Sequence, residues 1–142
     1  MDLSLARARI SIPFLGSDIV GARMDTLGGP MHHPLRLVET EPGSYSLLLD
    51  ALTAVNGAIK EVGHEPNGYF WEGVARYLVQ TEAPALAGRI LYDPEGSMFC
   101  ANAESRDVLE ALAALMRPLT TDAARVRRLV SDADAAGFQF DD

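Results

Sequence analysis

The stretch LRLVETEPGSYSLLLD (residues 35–50) decides the fold class. It contains two short runs, Leu35–Glu39 and Tyr45–Leu49, that are rich in the apolar and aromatic side chains typical of β-strands. Pro42-Gly43 stands between them and suits the centre of a type II turn, because proline fixes the first φ and glycine accepts a positive second φ. The stretch therefore predicts a β-hairpin.

Two helices are predicted after the hairpin. Apolar residues recur at steps of three and four over Thr53–Val62, which indicates a helix that ends at Gly63. A second apolar stripe predicts a helix over Phe70–Thr81. Either Asn67 or Gly68 can serve as the N-cap of this second helix.

The same order of elements then recurs. Arg89–Tyr92 and Met98–Ala101 have the character of strands around a turn at Asp93–Ser97. A helix is predicted over Glu104–Met116, and Thr121 is the expected N-cap of a final helix. Two strand-strand-helix-helix units predict an α+β fold with an antiparallel sheet and the helices packed on one face. The patterns leave open how the two hairpins are ordered in the sheet.

Residues 1–33 differ from the rest of the chain. They show no sustained hydrophobic period, and Gly28-Gly29-Pro30 is a strong breaker of regular structure. A second methionine, Met31, follows at once. We therefore expect residues 1–33 to be an N-terminal extension, either poorly ordered or arising from an upstream start, and residues 34–142 to form a single α+β domain.

The net charge of −8 is concentrated in the middle of the chain. Residues 61–110 hold nine acidic residues and three arginines, a net charge of −6. Such a field repels nucleic acid and anionic lipid, and it speeds encounter with a basic protein. An excess of acidic residues also favours solubility, so the charge alone does not identify a partner.

Membrane spans and disulfides are not expected. No apolar stretch approaches 18 residues, so no membrane-spanning helix is predicted. The single cysteine, Cys100, cannot form an internal disulfide. It lies in the apolar run Met98–Ala101, which predicts a small core residue in a reducing compartment.

Motifs for chemistry are sparse. The sequence contains no HExxH, CxxC or GxSxG motif and no glycine-rich phosphate loop. We therefore expect no enzymatic activity, no cofactor and no metal. The alternative is a small metal- or acid/base-dependent hydrolase that uses His64, Glu65 and Asp93.

A binding surface is suggested by GHEPNGYFWEG (residues 63–73), where aromatic residues are flanked by acids. Trp71 lies on the apolar stripe of its helix and is expected in the core, whereas Tyr69 precedes the stripe. Aromatic anchors surrounded by charge are typical of protein interfaces. The predicted partner-binding residues are Glu61, His64, Glu65, Asn67, Tyr69, Glu72, Asp93 and Glu95.

Taken together, these segments resemble the immunity protein 51 family of bacterial polymorphic-toxin systems. The most specific parts are the Asn-Gly-aromatic-any-Trp core at 67–71 and the Asp-Pro-Glu turn before Met-Phe at 93–99. The resemblance covers roughly residues 34–142 and is carried by LRLVETEPGSYSLLLDA (35–51), GHEPNGYFWEGVARYL (63–78), LYDPEGSMFCA (91–101) and FQFDD (138–142).

The resemblance implies a cytoplasmic antitoxin that performs no chemistry of its own. Such a protein binds a cognate toxin domain and blocks its active site or an essential surface. Toxins in these systems are frequently nucleases and hence frequently basic. A generic interaction subunit is the other non-enzymatic hypothesis, and the oligomeric state stays open.

Overall fold

The computed structural model of the chain describes residues 35–141. The predicted extension over residues 1–33 and the hypothetical start at Met31 lie outside these residues, so both stay predictions. The described elements are β1 (Leu35–Glu41), β2 (Ser44–Asp50), α1 (Asn56–Glu61), α2 (Gly68–Glu82), β3 (Leu91–Tyr92), β4 (Met98–Ala103), α3 (Arg106–Met116) and α4 (Ala123–Ala135), with short 3₁₀ turns at Pro84–Leu86 and Arg117–Thr120.

The predicted α+β class is confirmed. The four strands form one antiparallel sheet in the order β1-β2-β4-β3, so the two hairpins meet through their second strands. The first hairpin turns at Gly43, whose φ of +84° fits the second central position of a type II turn. In the central pair, Leu47 lies opposite Ala101 and Leu49 lies opposite Phe99.

The core lies between one face of the sheet and the helices. Leu47, Leu49 and Phe99 are almost fully buried there, and α2 and α3 pack against β2 and β4. Trp71 of α2 has no exposed surface, which confirms its predicted core position. Burying each of these large apolar side chains contributes about 1.5–3 kcal/mol, and this burial holds the helices on the sheet.

Several element boundaries differ from prediction. The first helix begins at Asn56 rather than Thr53, and in the turn before it the Thr53 N–H donates to Asn56 Oδ1 at 2.9 Å. The last helix is capped by Asp122 rather than Thr121, because the Asp122 carboxylate accepts from the N–H of Ala124 at 3.0 Å. The third helix begins at 106 instead of 104, and β3 is limited to residues 91–92.

Candidate functional site

The start of α2 sits directly on the turn between β3 and β4. The Gly68 N–H donates to the Gly96 carbonyl oxygen at 3.2 Å. A Cβ at position 68 would collide with the carbonyl oxygens of Glu95 and Met98, so only glycine allows this approach. The structure thereby joins the two parts of the predicted binding surface, the loop that leads into α2 and the acidic turn.

Asn67 is the N-cap of α2. Its Oδ1 accepts a hydrogen bond from the Phe70 N–H at 2.8 Å, which satisfies one of the free donors at the helix start. The sequence suggested both a capping role and a partner-binding role for this residue. The structure shows the capping role, which occupies the side-chain oxygen.

The turn acids Asp93 and Glu95 are exposed. Their backbone N–H groups continue the sheet, with Asp93 donating to the Cys100 carbonyl oxygen at 2.9 Å and Glu95 donating to that of Met98 at 2.8 Å. Within residues 35–141, neither carboxylate forms an ion pair. Both carboxylates therefore stay charged groups on the surface of the described domain.

The face of the sheet turned away from the core carries a mixture of apolar, polar and charged side chains. Paired residues lie on the same face and successive residues alternate, so the neighbours of the buried Leu47 and Phe99 point away from the core. Leu91 at the edge is 76% exposed. We call this surface the outer face, and it comprises Arg36, Val38, Ser46, Leu48, Asp50, Leu91, Met98, Cys100 and Asn102.

Cys100 was expected in the core, but it is half-buried on the outer face. The prediction failed because the apolar run around it contains residues of both faces. Burial raises the pKa of the Cys100 thiol, and the charges of Asp93 and Glu95 raise it further, against a smaller lowering by a hydrogen bond from Ser46. The two turn acids therefore act on the outer face.

Glu72 lies on the opposite side of the sheet from Cys100. Its carboxylate pairs with Arg76 at 2.6 Å, and the Arg76 guanidinium lies 5.6 Å from the centre of the Tyr92 ring. Burial raises the pKa of Tyr92 to about 12, with Arg76 lowering it and Glu72 raising it to smaller extents. The Glu72 side chain is only 13% exposed, so its charge is already compensated inside the protein.

The Glu61 carboxylate connects two helices. Its Oε1 accepts from Arg127 of α4 at 2.8 Å and 3.1 Å. An exposed pair of this kind contributes little to stability, roughly 0–1 kcal/mol. It nevertheless occupies the Glu61 carboxylate that the sequence assigned to partner binding.

His64 is part of an aromatic cluster formed with the C-terminal tail. Its ring lies 4.8 Å from that of Phe140, edge to face, and 5.5 Å from that of Phe70. Phe140 fills the space above Gly73 on α2, and Phe138 packs against Tyr77. Sequence reasoning missed this docking of the tail; a glycine at position 73 inside a well-formed helix was the available signal.

The remaining predicted residues, Glu65 and Tyr69, are exposed on the loop and first turn of α2. Tyr69 is 40% exposed, unlike the next two aromatics, which are fully buried. Thus Tyr69, Glu65, Asp93 and Glu95 present accessible side chains near the joined loop and turn. Whether they contact a partner stays a prediction.

No three His, Cys, Asp or Glu side chains within residues 35–141 converge as metal ligands. No helix in the same range is long and apolar enough to cross a membrane.

Comparisons with known proteins give one positive result. Neither the curated proteins nor the solved structures include a match. The family model described as immunity protein 51 matches residues 35–135, which is most of the chain and nearly all of its described part. The chain therefore belongs to the immunity protein 51 family.

Proposed function

We propose that this chain neutralises a cognate bacterial toxin domain by binding it and masking its active site or an essential surface. Membership of an immunity protein family is the observation that carries the proposal. Family membership supports an antitoxin role and binding to a cognate toxin, and it suggests a protein that is not a catalyst.

The proposed partner is a basic toxin domain of a polymorphic-toxin system, such as a nuclease. The two proteins would bind each other in the cytoplasm. The net charge of −8 favours such a partner, because opposite charge raises the association rate and disfavours wrong partners. A stable interface of standard size needs about 800 Å² on each partner, which a domain of this length can supply.

The proposed surface is centred on the junction of the α2 start with the β3–β4 turn. Tyr69 supplies an exposed aromatic side chain there, and Asp93 and Glu95 supply charges without ion pairs in residues 35–141. His64 and Glu65 border the same loop. The side chains of Glu61, Asn67 and Glu72 already make contacts within the protein, so we propose that they support the surface and contribute less to toxin binding.

Co-expression with the toxin tests the proposal. The toxin domain encoded immediately upstream of this chain is produced in a host that dies without protection. The wild-type chain is expected to restore growth, and the double variant Glu65→Lys/Asp93→Lys is expected to lose protection while keeping its fold by circular dichroism. Asp132→Lys/Asp134→Lys, which changes exposed acids of α4 by the same total charge, is the matched control and should still protect.

A wild-type chain that gives no protection and does not co-purify with that toxin would contradict the proposed function. A well-folded Glu65→Lys/Asp93→Lys variant that protects fully would contradict the proposed surface alone.

A further inference from the structure

We infer that the outer face of the sheet is a docking surface for the toxin, and that it receives a basic region of the toxin that also carries an apolar side chain. This inference rests on the proposed function and extends the binding surface beyond the loop and the turn. Three features support it: a sheet face on which none of the described helices packs, an exposed leucine at its edge, and exposed acids beside them that form no ion pair within residues 35–141.

The first feature is that the described helices pack on the other face of the sheet, while the outer face runs from the buried Ser46 through the half-buried Leu48 and Cys100 to the exposed Leu91. The helices pack on the side of Leu47, Leu49 and Phe99, whereas the alternate residues Leu48 and Cys100 stay half-buried. An antiparallel sheet with one solvated face usually presents polar side chains there. Here the position opposite Cys100 on β2 is Leu48, so an apolar pair occupies the middle of the face.

The second feature is Leu91. It lies beside Asn102 at the edge of the outer face and is 76% exposed. An isolated exposed leucine is ordinary on a protein surface. Its position on the same face as the apolar pair Leu48 and Cys100, diagonal to Cys100, makes it a candidate anchor, because binding energy concentrates where apolar side chains are removed from water at the centre of an interface.

The third feature is charge. Asp93 is directly opposite Cys100 in the continued ladder, and Glu95 forms the next bridge with Met98. Both carboxylates raise the pKa of the Cys100 thiol, so their fields reach the outer face. By contrast, Glu61 and Glu72 are neutralised by arginines on the helical side. Arg36 lies opposite Leu48 on the far side of the same face, so the negative charge is concentrated at the β3–β4 edge. A lysine- or arginine-bearing partner surface complements that acidic edge.

Two kinds of variant of the full chain test the inference by binding kinetics with the toxin domain encoded immediately upstream. Leu91→Ser should weaken affinity by about tenfold or more, mainly through faster dissociation. Its matched control is Leu52→Ser, since Leu52 is equally exposed at 74% but lies in the loop after β2. That control should change affinity by less than about threefold.

The charged edge is tested by Asp93→Lys/Glu95→Lys. Association should slow by about tenfold or more at low salt, and the difference from wild type should shrink at high salt because exposed charges are screened. The double variant Asp132→Lys/Asp134→Lys brings the same change in net charge on α4 and should have a much smaller effect.

The outcomes separate the two proposals. If the wild-type chain binds and inhibits the toxin but Leu91→Ser behaves as Leu52→Ser does, and Asp93→Lys/Glu95→Lys behaves as its α4 control does, the outer face is not the docking surface and the proposed function stands. If the wild-type chain neither binds nor inhibits the toxin, both proposals are overturned.

Discussion

The two faces of the sheet use the same residue types for different purposes. Leu47, Leu48 and Leu49 are three consecutive leucines. The first and third are buried in the core, whereas Leu48 between them points to the outer face. On the core face, complementary packing against α2 and α3 determines stability. On the outer face, the structure leaves an apolar side chain partly in water. The difference teaches that an uninterrupted apolar run in a strand can place one side chain in the core and the next partly in contact with water.

The largest expected effect comes from truncating one leucine on each face. Leu49→Ala should lower the free energy of unfolding by roughly 3–4 kcal/mol, because it removes a fully buried side chain and leaves a cavity. Leu48→Ala should cost about 1 kcal/mol, since its side chain already contacts water. Urea denaturation of both variants measures the difference. Equal losses of unfolding free energy in the two variants would contradict the difference between the two faces.

The junction between α2 and the turn is probed by a pair of glycines. Gly68→Ala should lower the free energy of unfolding by about 2–3 kcal/mol, because the new Cβ meets the backbone carbonyls of the turn. Gly57→Ala in α1 meets no atom within 4 Å and should raise stability by roughly 0.5–1 kcal/mol. Thermal denaturation reports both changes. If Gly68→Ala leaves the free energy of unfolding unchanged, the start of α2 is not in close contact with the turn.

A smaller effect separates a capping residue from a binding residue. Asn67→Ala should lower the free energy of unfolding by about 1 kcal/mol, because the Phe70 N–H loses its acceptor. Asn67→Asp keeps an acceptor and should restore stability. Neither variant should change toxin affinity by more than about threefold at a temperature where both are folded. A stable Asn67→Asp variant that no longer binds the toxin would show that Asn67 contacts the toxin, as the sequence analysis predicts.

The smallest effect concerns the reactivity of the outer-face thiol. Because burial and then the two turn carboxylates raise the pKa of Cys100, less thiolate is present at a given pH, and its alkylation profile is shifted to higher pH than that of an ordinary cysteine. Asp93→Asn/Glu95→Gln removes both charges, lowers the pKa and should speed alkylation by iodoacetamide at pH 8. Asp132→Asn/Asp134→Asn is the control. Identical rates in all three proteins would show that the turn acids do not act on the outer face.

Much of the fold follows from local patterns in the sequence. Pro42-Gly43 predicts the first hairpin and its turn type, and the apolar stripe around Trp71 predicts a buried helix, both of which the structure bears out. The central pairing of β2 with β4 could not be predicted, because it joins residues about fifty positions apart and no local pattern records it. The face taken by each residue of the run at 47–49 depends on that pairing.

The candidate site was predictable only in part. The sequence placed the loop before α2 and the acidic turn on one surface, and the close approach at Gly68 joins them. The sequence could not show that Glu61 is already paired with Arg127, because the two residues are 66 positions apart. The spacing of four residues does indicate the Glu72–Arg76 pair, but not the contact of Arg76 with the Tyr92 ring. The docking of Phe140 onto α2 is another contact between distant parts of the chain.

Titration of toxin activity with the purified full chain tests the central claim most directly. If the chain acts by covering the toxin, activity should fall linearly and reach its minimum at one chain per toxin, with no further change over time. Complete and time-dependent inactivation by a small fraction of an equivalent would mean that the chain turns over, and it would contradict neutralisation by masking.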